Sequence, residues 1–323
     1  MIETEEKIID GILEKNIYPV LPIGITSVLK KVKVSDICGI EEIRLRADKP
    51  LMIYKGGSDY FISNSGSISK LPFNCLITST PDIEKTLQLM CDFSIYAVEE
   101  ELKQGFLTLS GGHRVGITGR VVLEGNKIKT VRNISGMNIR IAREVKGCGR
   151  ELTELLYKDG LKHTLISSPP GCGKTTLLRD MVRIISDGDK NLNIKGYKVG
   201  IVDERSEIAG CYLGVPQKDV GTRTDVLDAC PKAQGMIMLL RSMSPEVIAV
   251  DEIGSIEDAM AIEDAVNSGV KVIATVHGRD MTEMMKKPGI KNLMDRDAFE
   301  KIVILSRRRG PGTVESIIDT ANM

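Results

Sequence analysis

At 323 residues the chain exceeds one domain of the usual ~100 to 200, so two modules are expected, and 42% hydrophobic with 27% charged residues argues against a disordered, fibrous or membrane-embedded chain. Forty-four Lys and Arg offset 44 Asp and Glu, so no bulk positive field draws the protein to nucleic acid or anionic lipid, and 4% aromatics without tryptophan leave few platforms for stacking bases. The seven cysteines are scattered, with no CxxC pair or zinc-knuckle spacing, which reads as the reduced thiols of a cytosolic protein.

The first residues mix Glu3, Glu5, Glu6 and Asp10 with apolar side chains, the wrong pattern for a signal peptide. No run approaches the ~18 apolar residues of a spanning helix. Ile8, Ile9, Ile12 and Leu13 at helical spacing predict a helical opening segment through Leu29, broken at Pro19 and Pro22. In EIRLRADKPLMIY, residues 42–54, Ile43 and Leu45 alternate with Arg44 and Arg46 before Asp48, Lys49 and Pro50 turn the chain into a second apolar run, a hairpin signal. Residues 56–69 are polar and rich in Gly and Ser, so a loop or a sheet edge is expected there. Residues 82–98 predict a helix with Ile83, Leu87 and Met90 inward. Residues 105–110, 113–123 and 136–142 show the two-residue alternation of half-buried strands. The first module, residues 1–145, therefore reads as α+β.

A second regime follows. Strand-like apolar runs at 164–167, 199–202, 247–250 and 270–276 alternate with helical stretches, which predicts a parallel sheet covered by helices over residues 146–323. The boundary falls within 144–150, where Gly147 and Gly149 supply a hinge.

The chemistry is written in this second module. SPPGCGKTT, residues 168–176, lies directly after an apolar strand and directly before a helical run. A loop of this kind wraps phosphates with backbone N–H groups and aims a helix N-terminus at them, while Lys174 supplies a point charge and Thr175 a hydroxyl for Mg²⁺. The pattern GxxxxGK[ST] is met except at its first position, where Ser168 replaces Gly; Pro169 already directs Ser168 to extended backbone that any L-residue adopts. Pro169 and Pro170 have no N–H, so the cradle must come from Gly171, Cys172, Gly173, Lys174, Thr175 and Thr176, with Cys172 as a spacer. PEVIAVDEIG, residues 245–254, ends a buried strand in two carboxylates: Asp251 to hold Mg²⁺ and Glu252 to orient or deprotonate water, unless both merely cap the next helix. VDERSE, residues 202–207, offers Asp203, Glu204 and Glu207 either as water-positioning acids or as caps. ATVHG puts His277 at a strand end, where it either senses the γ-phosphate or serves structure. Arg241 and Arg223 are candidates for phosphates of the same or a neighbouring subunit, or for surface ion pairs. Arg307, Arg308 and Arg309 follow the strand-like KIVILS and precede GPG, where the run reads as a solvated hairpin cap, the alternative being that one of them touches a neighbour's nucleotide.

Together these segments resemble the secretion-type (type II/type IV) ATPases: IEEIRLRADKPLMI is similar to their N-terminal hairpin, VDERSE to their acidic box, LLRSMSPEVIAVDE to their arginine-plus-carboxylate strand and ATVHG to their histidine box. More narrowly, VDERSEIAG, GTRTDVLDACPKAQGM, RSMSPEVIAVDEIG and SPPGCGKTTLLRD resemble the stage III sporulation AA family of endospore-forming bacteria. One departure is Asp251-Glu252 where secretion ATPases usually carry Gly-Glu. The resemblance implies a RecA-like P-loop ATPase domain after a smaller α+β domain, ATP and Mg²⁺ as ligands, and a homo-oligomer, expected as a hexamer. It further implies membrane-embedded sporulation channel proteins as partners and a peripheral place on the mother-cell face of the outer forespore membrane, with no specific nucleic acid. On this reading Lys174 and the loop amides bind phosphates, Thr175 and Asp251 hold Mg²⁺, Glu252 activates water, His277 reports the γ-phosphate, and Glu204 and Arg241 assist. A RecA-like nucleic-acid motor and a nucleotide-gated scaffold with little turnover are the rival expectations.

Overall fold

Ile43 and Leu45 are fully buried while Arg46 faces out, and this alternation along IEEIRLR sets a strand at the centre of a sheet. The computed structural model describes residues 8–94, 98–158, 160–192 and 194–322. The chain divides into two compact units, Met1–Arg143 and Glu144–Met323.

In the first unit, helical residues 8–17 close in a π-helical turn (Leu13–Ile17), and a short helix α1 (Ile23–Leu29) follows the proline break. Residues 1–7 of the predicted opening helix lie outside the described residues. Strands β1 (Ile40–Arg46), β2 (Met52–Lys55), β3 (Ser58–Ile62), β4 (Ile68–Ser69), β5 (Phe106–Leu109), β6 (His113–Glu124) and β7 (Lys127–Arg140) form one antiparallel sheet in the order β4-β3-β2-β1-β7-β6-β5. The expected hairpin is β1–β2, with Ile43 opposite Ile53. The polar stretch expected as a loop or an edge is the edge, β3 and β4. Strand β7 starts well before residue 136, because it pairs with β6 through Val121 opposite Val131 on a largely exposed ribbon. Backbone hydrogen bonds hold such a ribbon without an apolar period, so alternation does not reveal it.

Helix α2 (Thr80–Met90) is capped by Ser79 and Asp82 and buries Ile83 and Met90 against the sheet. It ends sooner than residue 98: Asp92 and Phe93 take positive φ, 45° and 61°, and a separate helix α3 (Glu99–Gln104) follows. Residues 95–97 of the predicted helix lie outside the described residues.

The second unit follows the expected alternation. Helix α4 (Arg150–Tyr157) leads into β8 (Thr164–Ser168), α5 (Lys174–Asp187), β9 (Val199–Asp203), β10 (Thr224–Asp228), α6 (Lys232–Ser242), β11 (Val247–Val250), α7 (Ile256–Asn267), β12 (Lys271–His277), α8 (Pro288–Asp295), β13 (Lys301–Ser306) and β14 (Thr313–Asp319). The sheet order is β10-β9-β11-β12-β8-β13-β14, parallel except for the final antiparallel hairpin β13–β14. Helices cover both faces, which is why the strand runs are continuously apolar. Ile248 and Val250 pack with α6 and α7, and Val247 and Ala249 with α4 and α5. Strand β10 has no clear sequence signal, since an edge strand reading TDVLD carries too little apolar sequence to announce itself. Within its own chain Arg223, just before β10, is engaged at the C-terminus of α5, where its Nη1 donates to the carbonyls of Ser186 (2.9 Å) and Asp187 (3.2 Å).

At the opposite, amino edge of the sheet, Glu300 accepts from His163 N (2.8 Å) and Lys271 Nζ (2.9 Å) and pairs with Lys162 at 3.1 Å, tying the starts of β8, β12 and β13. Burial pushes this carboxyl up, but the lysines and the amide win and hold it at about 2. The folded value lies below the unfolded one, so the stabilisation is complete above pH ~4.5 and is lost as pH falls toward 2. Glu300→Gln should therefore lower stability at pH 7 by about 1 kcal/mol, the group being partly exposed, and should flatten the acid limb of a urea-unfolding series below pH 4.5.

Candidate active site

The phosphate-loop sequence forms the turn between β8 and α5. Ser168 is the last residue of β8, fully buried and paired in register with His277, so its position does not call for glycine. Gly171 (φ 70°) and Gly173 (φ 85°) occupy the left-handed region that L side chains avoid. A Cβ on Gly173 would stand 3.4 Å from Gly312 N and from Pro311 Cβ, so the tip of the β13–β14 hairpin rests against the loop. Gly312 N donates to Cys172 O at 2.8 Å, and an Arg307 Nη1 lies 3.7 Å from where a Gly171 Cβ would be. Arg307 therefore stands over the loop of its own chain, whereas Arg308 pairs with Glu315 at 3.0 Å. No side chain caps α5, which leaves the first amides of the helix, Lys174 to Thr176, pointing into the loop.

Lys174 is 5% exposed, and its Nζ donates to Ser168 O (3.3 Å), Ser168 Oγ (3.3 Å) and His277 Nδ1 (2.9 Å). Desolvation pushes the ammonium below the ordinary lysine value, against the pull of Asp251 and Glu252. An ammonium has no acceptor, so His277 Nδ1 must accept and Nε2 carries the ring hydrogen. That Nε2 donates to Glu252 Oε1 at 2.6 Å. The other oxygen, Oε2, accepts from Arg205 Nη1 at 2.9 Å. Arg205 follows β9, Glu252 follows β11, His277 ends β12 and Lys174 follows β8, which are neighbours in that order. One polar chain thus runs across the carboxyl edge of four adjacent strands.

Asp251 sits inside this row. Its Oδ2 accepts from Thr175 Oγ1 at 2.6 Å, and its Oδ1 accepts from Thr275 Oγ1. Thr275 Oγ1 also accepts from Glu252 N at 2.9 Å, helping to hold Glu252 at φ 57°. Neither acid caps the next helix: α7 is capped by a box of Ser255 and Asp258, so the two carboxylates are left facing the phosphate loop.

The acidic segment after β9 divides its labour. Asp203, 2% exposed, accepts from Glu207 N (2.9 Å) and Ala209 N (2.8 Å), so both of its oxygens are engaged in shaping the turn. Glu204 pairs with Lys232 at 2.6 Å at the start of α6; burial pushes its carboxyl up, but the hydrogen bonds and charge of Lys232, with Arg205, outweigh that and hold it below the ordinary value. A cleft of about 20 Å³, roughly one water in size, is lined by Asp203, Glu204, Arg205, Glu207, Lys232, Asp251 and Glu252. Arg241 is not brought to this cleft by its own chain. It is exposed in the last turn of α6, just before β11 begins, which is the amino edge of the sheet. Arg205 and Thr275 are site residues that sequence reasoning misses. Thr275 looks like any β-branched strand residue, and Arg205 stands inside an acidic segment whose carboxylates are the more obvious chemistry.

Among the described residues no three His, Cys, Asp or Glu side chains converge as a metal cage. The Thr175 hydroxyl and the Asp251 carboxylate, 2.6 Å apart at the helix N-terminus, instead suit a Mg²⁺ that takes one or two protein groups and completes its shell with phosphate and water.

The family model described as sporulation stage III, protein AA matches residues 13–323. Stage III sporulation protein AA of Bacillus subtilis (strain 168) is 44% identical over 303 residues, 94% of this chain and 94% of that protein. An uncharacterized protein, ycf45 of Porphyra purpurea, is 30% identical over 191 residues, 57% of this chain and 32% of its own length. Among solved structures, the ATPase DotB of Legionella pneumophila superposes with a TM-score of 0.57 over 88% of this chain and 76% of that one, at 15% identity. The pilus retraction motor PilT, solved with bound ADP, gives 0.56 over 88% and 78%, at 16% identity. At such identities the likeness is one of fold alone: a RecA-like α/β domain with a smaller α+β domain.

Because Thr275 serves Asp251 and Glu252 N at once, Thr275→Val should leave a half-buried amide and a carboxylate oxygen short of partners. The expected loss is about 1 to 3 kcal/mol in denaturant unfolding, with the variant still folded. Thr275→Ser should recover most of it.

Proposed function

The chain belongs to the sporulation stage III protein AA family, and we propose that it is a Mg²⁺-dependent ATPase whose turnover drives assembly of, or transport through, a channel between mother cell and forespore. The observation that carries this reading is the row across β8, β12 and β11, in which the loop lysine, a histidine and a strand-end carboxylate touch one another. A structural role alone gives no reason to bury a lysine against a phosphate-loop carbonyl and to hold a glutamate at positive φ.

In this reading ATP is the substrate, its phosphates lying on the amides of Gly171 to Thr176 with Lys174 as the charged contact. Thr175 and Asp251 hold Mg²⁺, which when bound neutralises charge developing on the phosphoryl oxygens. Glu252 takes a proton from the attacking water, and its position is set by Thr275 through the backbone and by His277 through the side chain. His277 touches both Lys174 and Glu252, so a phosphate that engages Lys174 is felt at the base. Glu204, held by Lys232, lines the same cleft.

The expected assembly is a homo-oligomeric ring, a hexamer. Arg241, on the far edge from its own loop, then serves a neighbour's site, and Arg44, Arg46, Arg114 and Arg140, which share one face of the first sheet, are further donors of this kind. Among the described residues no helix is long and apolar enough to cross a membrane, and the proposed location is peripheral, on the mother-cell face of the outer forespore membrane, against membrane-embedded channel proteins.

Lys174→Ala should abolish binding of a fluorescent ATP analogue. Glu252→Gln should keep that binding and lower steady-state hydrolysis by about 100-fold or more. Hydrolysis by Glu252→Gln at the wild-type rate would remove the assigned base. Mass measurement in solution, with and without a non-hydrolysable ATP analogue, should show a ring forming on nucleotide addition; a monomer under both conditions contradicts the shared-site motor.

A further inference from the structure

We propose that Arg205 is a latch on Glu252, a positioning residue that competes with water for the carboxylate and keeps hydrolysis below what the site supports; the inference rests on the ATPase reading above. Both oxygens of Glu252 are engaged, Oε1 by His277 at 2.6 Å and Oε2 by Arg205 at 2.9 Å. A carboxylate that is to take a proton from water must offer a lone pair and keep its basicity, and each donor reduces both. His277 is tied in turn to Lys174, so it belongs to the phosphate end of the row. Arg205 has no such tie. It is the terminal member, its side chain is 60% exposed, and it comes from a turn in which Ser206 takes φ 52°.

The two restraints respond differently to substrate. A triphosphate that takes Lys174 removes the donor from His277 Nδ1, which loosens the ring's hold on Oε1. Nothing in that exchange reaches Arg205, whose pairing with Oε2 is left as it was. An ion pair this open to solvent is weak and easily exchanged. The pair therefore restrains Glu252 in a fraction of molecules without shutting the site. Its removal acts on the chemical step and leaves the phosphate contacts of Lys174 and the loop amides in place.

The test compares full-length wild type, Arg205→Ala, Arg205→Lys, Glu252→Gln and the double variant Arg205→Ala/Glu252→Gln, with melting temperature and binding of a fluorescent ATP analogue as folding controls. Arg205→Ala should raise kcat by at least about threefold with KM for ATP changed by less than about twofold, a split that a general loss of structure does not produce. Arg205→Lys should retain part of the restraint, and the double variant should be as inactive as Glu252→Gln. A kcat of Arg205→Ala equal to or below wild type, alongside an impaired Glu252→Gln, overturns the latch and leaves the ATPase reading standing. A silent wild type with an active Arg205→Ala supports it. Hydrolysis by neither protein overturns the latch and the ATPase reading together. Should Arg205→Ala melt early, the same kcat and KM comparison is made with Arg205→Gln, where a raised kcat supports the latch and an unchanged or lower kcat overturns it.

Discussion

Burying an ammonium costs several kcal/mol unless its hydrogens find acceptors, and Lys174 finds three: the carbonyl and hydroxyl of Ser168 and the ring of His277. The third acceptor exists only because β8 and β12 are neighbours whose last residues, Ser168 and His277, lie in register. The site is therefore a property of the sheet edge as much as of the loop. With β12 inserted between the phosphate-loop strand and the carboxylate strand, a histidine stands where it can touch both.

The carboxylates depend on the same edge. Ser255 and Asp258 cap α7, freeing Asp251 and Glu252 from that duty, and Asp203 spends both its oxygens on the turn after β9. Acids that read alike in sequence thus separate into those that shape backbone and those that face the loop. Glu252 carries the backbone cost of positive φ, offset by the hydrogen bond from its amide to Thr275. Strain of this kind persists where the surroundings over-determine it, and here a threonine, a histidine and an arginine all act on one residue.

The β13–β14 hairpin adds a second constraint on the loop. The bond from Gly312 to Cys172 and the approach of Pro311 to Gly173 hold the loop from outside the sheet, and they bring Arg307 over Gly171. An arginine run that reads as a solvated hairpin cap is in part a wall of the phosphate loop. The first unit carries no comparable site among its described residues. Four of its arginines, Arg44, Arg46, Arg114 and Arg140, lie on one sheet face, where Glu42 pairs with Arg44 at 2.6 Å and with Arg140 at 3.6 Å.

Much of this is legible in the chain itself. Four apolar runs ending in Ser168, Asp203, Asp251-Glu252 and His277 announce parallel strands and the chemistry at their carboxyl ends, because burial on both faces demands continuous apolar sequence and the loop demands Gly, Lys and Thr at set spacing. What those runs do not convey is their order. Which strands lie side by side depends on crossovers through helices, and that order joined Arg205 to Glu252 and gave Thr275 two partners. Local sequence encodes period, caps and loop chemistry. Lateral neighbours are settled by long-range packing, and there one arginine among acids and one threonine inside a strand acquired their roles.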